Sequence, residues 1–190
     1  RDALANYGQL LEMGLPDATV VRLTQIASVL AIEAADNLDR SLQWMYVGLA
    51  AVGRIGDEEA LLNLELNRAR LLANKGMIPE AMQISRHVID AVVGRPDRVG
   101  LLAGAARLIA VGAKTTGEHE YAGRVVMDAL PVVERHGTDV HFAMLIDGLS
   151  AWASGVGYRR LSMVIGQGAR LRVEGRESEA IVRDLNSVSL

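Results

Sequence analysis

The sequence of 190 residues contains no cysteine. That excludes a disulfide framework, a thiolate nucleophile and a cysteine-ligated zinc site, and it suits a reducing compartment. Aromatic residues are only 4% of the chain, too few for a base-stacking platform. No surplus of positive charge exists: the net charge is −3 with the signs interspersed, so neither a phosphate backbone nor an anionic membrane is attracted. In the C-terminal third, Arg159, Arg160, Arg170, Arg172, Arg176 and Arg183 alternate with Glu174, Glu177, Glu179 and Asp184, which makes a mixed surface instead of a phosphate-tracking stripe. Long apolar runs are missing as well. The longest candidate span, SLQWMYVGLAAVG at 41–53, falls well short of the ~20 residues a membrane helix needs. Asp2 and Glu12 stand where a signal peptide would have a basic start and an apolar run. These absences predict a soluble, cytoplasmic chain; it begins at Arg1, and we expect it to be a fragment of a longer protein.

Half of the residues are apolar, enough to bury a sizeable core. Their arrangement is repetitive. GLPDA at 14–18, IGDEEA at 55–60, GRPDR at 94–98 and HGTDV at 136–140 place Asp17, Asp57, Asp97 and Asp139 at intervals of 40, 40 and 42 residues. An aspartate in a first helical turn accepts bonds from free backbone N–H groups and faces the positive end of the helix dipole, so each marks a helix start. A glycine or proline before it stops the preceding helix.

A second set of breaks, at Asp36-Asn37, Gly76, Gly117 and Gly155 with Gly157, splits each interval into two helices. After Gly76 and Gly117 an alanine follows at the same distance, Ala81 and Ala122, where a small side chain lets helices cross closely. Four residues beyond each aspartate stand Val21, Leu61, Leu101 and Ala143; twelve beyond stand Val29, Ala69, Ile109 and Ala151. All are apolar, as a buried face requires. Strand signals are nearly absent.

The pattern predicts an all-α chain with helices at 2–13, 17–35, 39–54, 57–75, 79–93, 97–115, 118–135, 139–154, 158–173 and 176–188. We read it as a single domain, 1–190, of hairpin units at 17–54, 57–93, 97–135 and 139–173 with a final helix at 176–188.

Within this frame, ALLNLELNRARLLANKGMIPEAMQISRHVIDAV at 60–92 resembles a tetratricopeptide-type helical hairpin, with Ala69, Gly76 and Ala81 on its three small-residue positions. It departs at the aromatic position of the second helix, where Ser85 stands, and in its period of about 40 residues. The longer period, IGDEEALLNL and YRRLSMVIGQGARLR are similar to the helical arms of bacterial signal-transduction ATPases and large LuxR-type transcriptional regulators. The resemblance implies a right-handed α-solenoid and a role in partner recognition.

Chemistry has little support. His136 and His141 flank a turn instead of converging on one helix face, which reads as two solvated turn residues. His119 reads as a surface group and His87 as a partly buried packing residue. IGQGARLRVEG at 165–175 misplaces the third glycine of a dinucleotide loop, and no strand precedes it. We therefore expect no enzyme activity, no cofactor and no metal.

The candidate partner-binding residues lie on the first helices. Asn63, Asn67, Arg70 and Asn74 fall within ~60° of one another at about 100° per residue, so they should form an exposed polar stripe. Arg107 and Lys114 occupy equivalent offsets one unit later. Amide and guanidinium groups in a row suit an extended peptide or a carboxylate, so the expected partner is a protein or peptide, an acidic one first, bound in a concave groove. The alternative is a small-ligand sensor whose pocket lies near Trp152, at the matching offset of the last unit together with Leu145, Leu149 and Val156.

Overall fold

A computed structural model describes Tyr7, Leu10, residues 13–34 and residues 38–174. Eight α-helices fill those residues: α1 Asp17–Ala34, α2 Leu38–Ile55, α3 Glu58–Asn74, α4 Ile78–Val92, α5 Val99–Thr116, α6 His119–His136, α7 Asp139–Gly155 and α8 Arg159–Glu174. A short 3-10 turn, Pro96–Arg98, precedes α5. No strand occurs among the described residues. The expected helices at 2–13 and 176–188 lie outside the described residues, apart from Tyr7, Leu10 and Met13. Every other boundary agrees with the expected one to within two residues.

Local chemistry explains that agreement. Asp57 caps α3, its carboxylate accepting the Ala60 N–H at 3.0 Å, and Glu58 and Glu59 follow in the first turn. Asp17 and Asp139 open α1 and α7, while Asp97 sits in the turn that leads into α5. The α3 helix ends in ANKGM. Gly76 takes φ +81°, its N–H bonds to Ala73 C=O and the Met77 N–H reaches back to Leu72 C=O, both at 2.9 Å. This pair of bonds satisfies carbonyls that the last turn leaves open and reverses the chain. The same closure ends α7, through Gly157 to Ser154 and Tyr158 to Ala153.

Contacts gather into two compact units, 1–84 and 85–190, with the division inside α4. In the first unit Arg54, in the last turn of α2, grips Asp17 at the start of α1 through two bonds of 2.5 and 2.9 Å. This pairing holds the Asp17 carboxyl below its ordinary pKa. Lys75, just beyond α3, pairs with Asp39 at the start of α2. Those end-to-start pairings make α1, α2 and α3 successively antiparallel, so α1 and α3 run parallel and also touch each other. The core between them holds Val21, Trp44, Met45, Val52, Leu64 and Leu71. Tyr7 joins it, its ring 4.6 Å from that of Trp44. Its hydroxyl donates to Thr24 Oγ1, which in turn donates to Val20 C=O, so a buried phenol and a buried hydroxyl are both satisfied. Burial pushes the Tyr7 pKa up.

The second unit repeats the scheme: α5 touches α6 and α7, α6 touches α7, and α7 touches α8. Its core is built on Ile109, Leu145, Val126 and Val133. Residues 96–116, which include α5, have the length and mean hydropathy (1.2) of a membrane-crossing helix, yet 67% of that window is buried inside the fold. Arg107 and Lys114 interrupt the uncharged run, so a count of consecutive uncharged residues passes over it. Ala81 and Ala122 are both buried, as the small-residue spacing requires.

Candidate interaction surface

Of the six residues expected to hold a partner, only Asn74 and Lys114 are exposed; Asn63, Asn67, Arg70 and Arg107 are partly buried. The reason differs from residue to residue. Asn63 turns its amide onto Glu59 C=O of its own helix at 3.0 Å. Asn67 donates to Ser28 Oγ at 3.1 Å, and Ser28 passes the bond to Gln25 C=O at 2.8 Å, so this asparagine fastens α3 to α1. Arg107 donates through Nε to Asp147 on α7, whose residue is 4% exposed. The stripe expected to face solvent is therefore drawn, at Asn67 and Arg107, into the joints between first helices. The first four residues belong to one unit and the last two to the other.

The α5–α7 joint has a defined register. A Cβ placed on Gly100 would lie 2.9 Å from His141 Nε2, one on Gly148 would lie 2.9 Å from Arg107 Cα, and one on Gly155 would lie 3.7 Å from Lys114 Cβ. Start meets start, middle meets middle and end meets end, so α5 and α7 are parallel. In each pair the partners are 41 residues apart, and successive pairs are seven residues apart, two turns of helix. Small residues at that spacing bring the backbones together. The Arg107–Asp147 pair lies beside the middle contact, where a carboxylate removed from water needs its guanidinium.

Asp147 is the residue that motif reading missed. It belongs to no recognisable motif and becomes notable only through burial. The glycines 148 and 155 carried a signal in their seven-residue spacing. Trp152 is partly buried, with its indole N–H donated to His119 C=O at 2.7 Å and its ring against Gly123, which makes it a tie between α6 and α7. His141 departs from the solvated-turn reading. It is the third residue of α7, where its Nδ1 accepts the Thr138 N–H at 3.3 Å and Thr138 Oγ1 accepts the His141 N–H at 3.4 Å. This is a capping box with imidazole in the place of a carboxylate. Burial lowers the His141 pKa.

His119 is partly buried against Gly155 instead of lying on the surface. His87 is exposed, because the buried stripe of α4 (Ala81, Met82, Ser85, Val88 and Val92) runs along the opposite side of that helix. Among the described residues no group of three or more His, Cys, Asp or Glu side chains converges as a metal site would require. No family model, curated protein or solved structure matches this chain.

Proposed function

We propose that this chain is a non-enzymatic helical-repeat module, a tetratricopeptide-like α-solenoid, that holds a protein or peptide partner within a cytoplasmic regulator of the bacterial signalling or transcription type. The supporting observation is the α5–α7 register. First helices stacked in parallel at a fixed sequence shift are the building step of a solenoid, which presents an extended surface in place of an enclosed pocket. Within the first unit Arg70 and Asn74, and within the second Lys114, carry donors suited to carboxylates, so an acidic segment is the partner to try first with either unit.

The test uses a fluorescein-labelled acidic peptide and fluorescence anisotropy. Binding should saturate and weaken with salt, since exposed charges separated by more than ~10 Å are screened at 0.1 M. Arg70→Glu and Lys114→Glu, made singly, should each weaken binding about tenfold with unchanged helical circular dichroism. Arg107 is unsuited to this test, because a glutamate there would face Asp147. Absence of binding by the unaltered chain, or full affinity in both variants, removes the proposal.

A further inference from the structure

The buried ion pair of the second unit uses part of its guanidinium. Asp147, 4% exposed, accepts from Nε of Arg107. A guanidinium carries five N–H donors, and a bond at Nε leaves the edge formed by the two terminal nitrogens, whose parallel N–H groups match one carboxylate. Among the described residues nothing bonds to that edge, and neither terminal nitrogen is a buried atom left unsatisfied. With 27% of the side chain exposed, the edge opens to water. A carboxylate fixed in α7 thus holds a long side chain in one pose, so less rotamer freedom remains to be lost when a ligand binds.

Lys114 stands on the same side of α5 and is exposed. Seven residues make two turns, so Arg107 and Lys114 leave the helix nearly in line and about 10 Å apart. At both points α7 contributes glycine. A Cβ on Gly148 would lie 2.9 Å from Arg107 Cα, and one on Gly155 would lie 3.7 Å from Lys114 Cβ, so α7 places no side chain over the root of either cation. The spacing of the cations selects the shape of a ligand. In a polyproline-type extended chain, with three residues per turn, residues three apart project the same way about 9 Å apart. In a β-strand they would face opposite sides.

We propose that Arg107 and Lys114 form a two-point carboxylate site on the second unit, which takes a polyproline-type segment with acidic side chains three residues apart, and that Asp147 is the positioning residue that aims the free edge of Arg107. The inference rests on the acidic-partner reading and adds the anchor and the spacing that it leaves open.

Two fluorescein-labelled hexapeptides test it, each of four prolines and two glutamates, with the glutamates three residues apart in one and adjacent in the other. Composition and charge are identical. In anisotropy titrations with the 190-residue chain, the first should bind about tenfold more tightly, the difference made by one charge-assisted contact. Arg107→Lys keeps the charge and can still pair with Asp147 but has no second edge, so it should lose that preference while its helical circular dichroism and melting temperature stay near those of the unaltered chain. Asp147→Asn removes a negative charge, which on charge alone would strengthen binding of an anion. Positioning requires the opposite, a loss of about threefold. If that variant loses its helical circular dichroism, Arg107→Lys decides alone. Equal binding of the two hexapeptides, a preference retained in Arg107→Lys, or tighter binding by a folded Asp147→Asn would overturn the two-point site and leave the acidic-partner reading standing. The same holds if neither hexapeptide binds while a longer acidic peptide does; if no acidic peptide binds, both fall.

Discussion

Glycine acts in opposite ways at two helical positions of this chain, and the contrast gives a residue-scale test. Gly148 lies where α7 crosses α5, and an added Cβ would stand 2.9 Å from the Arg107 Cα, a backbone atom that cannot swing aside. Gly53, on α2, has nothing within 4 Å of the same hypothetical atom. Gly53→Ala should therefore raise stability by ~0.5–1 kcal/mol, the ordinary helix preference for alanine over glycine. Gly148→Ala gains the same preference but must push α7 away from α5, so it should lower stability by about 1–2 kcal/mol. Urea denaturation of the two variants decides it. Equal shifts of the same sign would mean that the α5–α7 approach is looser than the register implies.

At the scale of the element, the start of α7 depends on a neutral imidazole. His141 Nδ1 accepts a bond from the Thr138 backbone, which a protonated ring cannot do, and burial disfavours the charged form as well. Its pKa is thus lower folded than unfolded. The contribution to stability is fully present above the ordinary imidazole value of ~6.5 and is lost as the pH falls through the folded value. Glutamine can make the same acceptor bond without titrating. His141→Gln should keep most of the stability at neutral pH and flatten the decline of the melting temperature between roughly pH 7 and 5. Parallel acid limbs in the two proteins would show that the box contributes nothing to the pH dependence. The Asp17–Arg54 pair works in the same direction at lower pH, since its carboxyl is held below the usual range and its stabilisation is present above that range.

For the whole molecule, contacts cluster into two units, and the buried ion pair belongs to one of them. Asp147→Ala strands the Arg107 guanidinium beside a cavity. Removing one partner of a buried pair costs ~3–5 kcal/mol, and the partial exposure of Arg107 places this case near the lower figure. Amide hydrogen exchange should show protection falling across α5, α6 and α7 while α1, α2 and α3 keep theirs, because opening free energies vary between cooperative units of one chain. A uniform loss over all six helices would show that the chain opens as one.

Helix starts and stops were legible from the residues because the bonds that make them span five residues or fewer: Asp57 to Ala60, Met77 to Leu72, Tyr158 to Ala153. The apolar faces were legible for a related reason, since helical periodicity is a property of one segment. Partner-dependent properties were not. The same polar offset holds Asn67 and Arg107, yet the bond each makes depends on the residue that a parallel helix brings opposite, 39 or 40 positions away in the chain. Val29 satisfied the apolar pattern and is exposed, whereas Asp147, which no pattern singled out, is buried. The sequence by itself determined which segments are helical, where they turn and which side of each is apolar, because these follow from short-range bonding and spacing. Only the tertiary structure decided which polar groups are joints and which face water, because that depends on the register between helices, set by contacts such as Gly148 on Arg107 that no local pattern encodes.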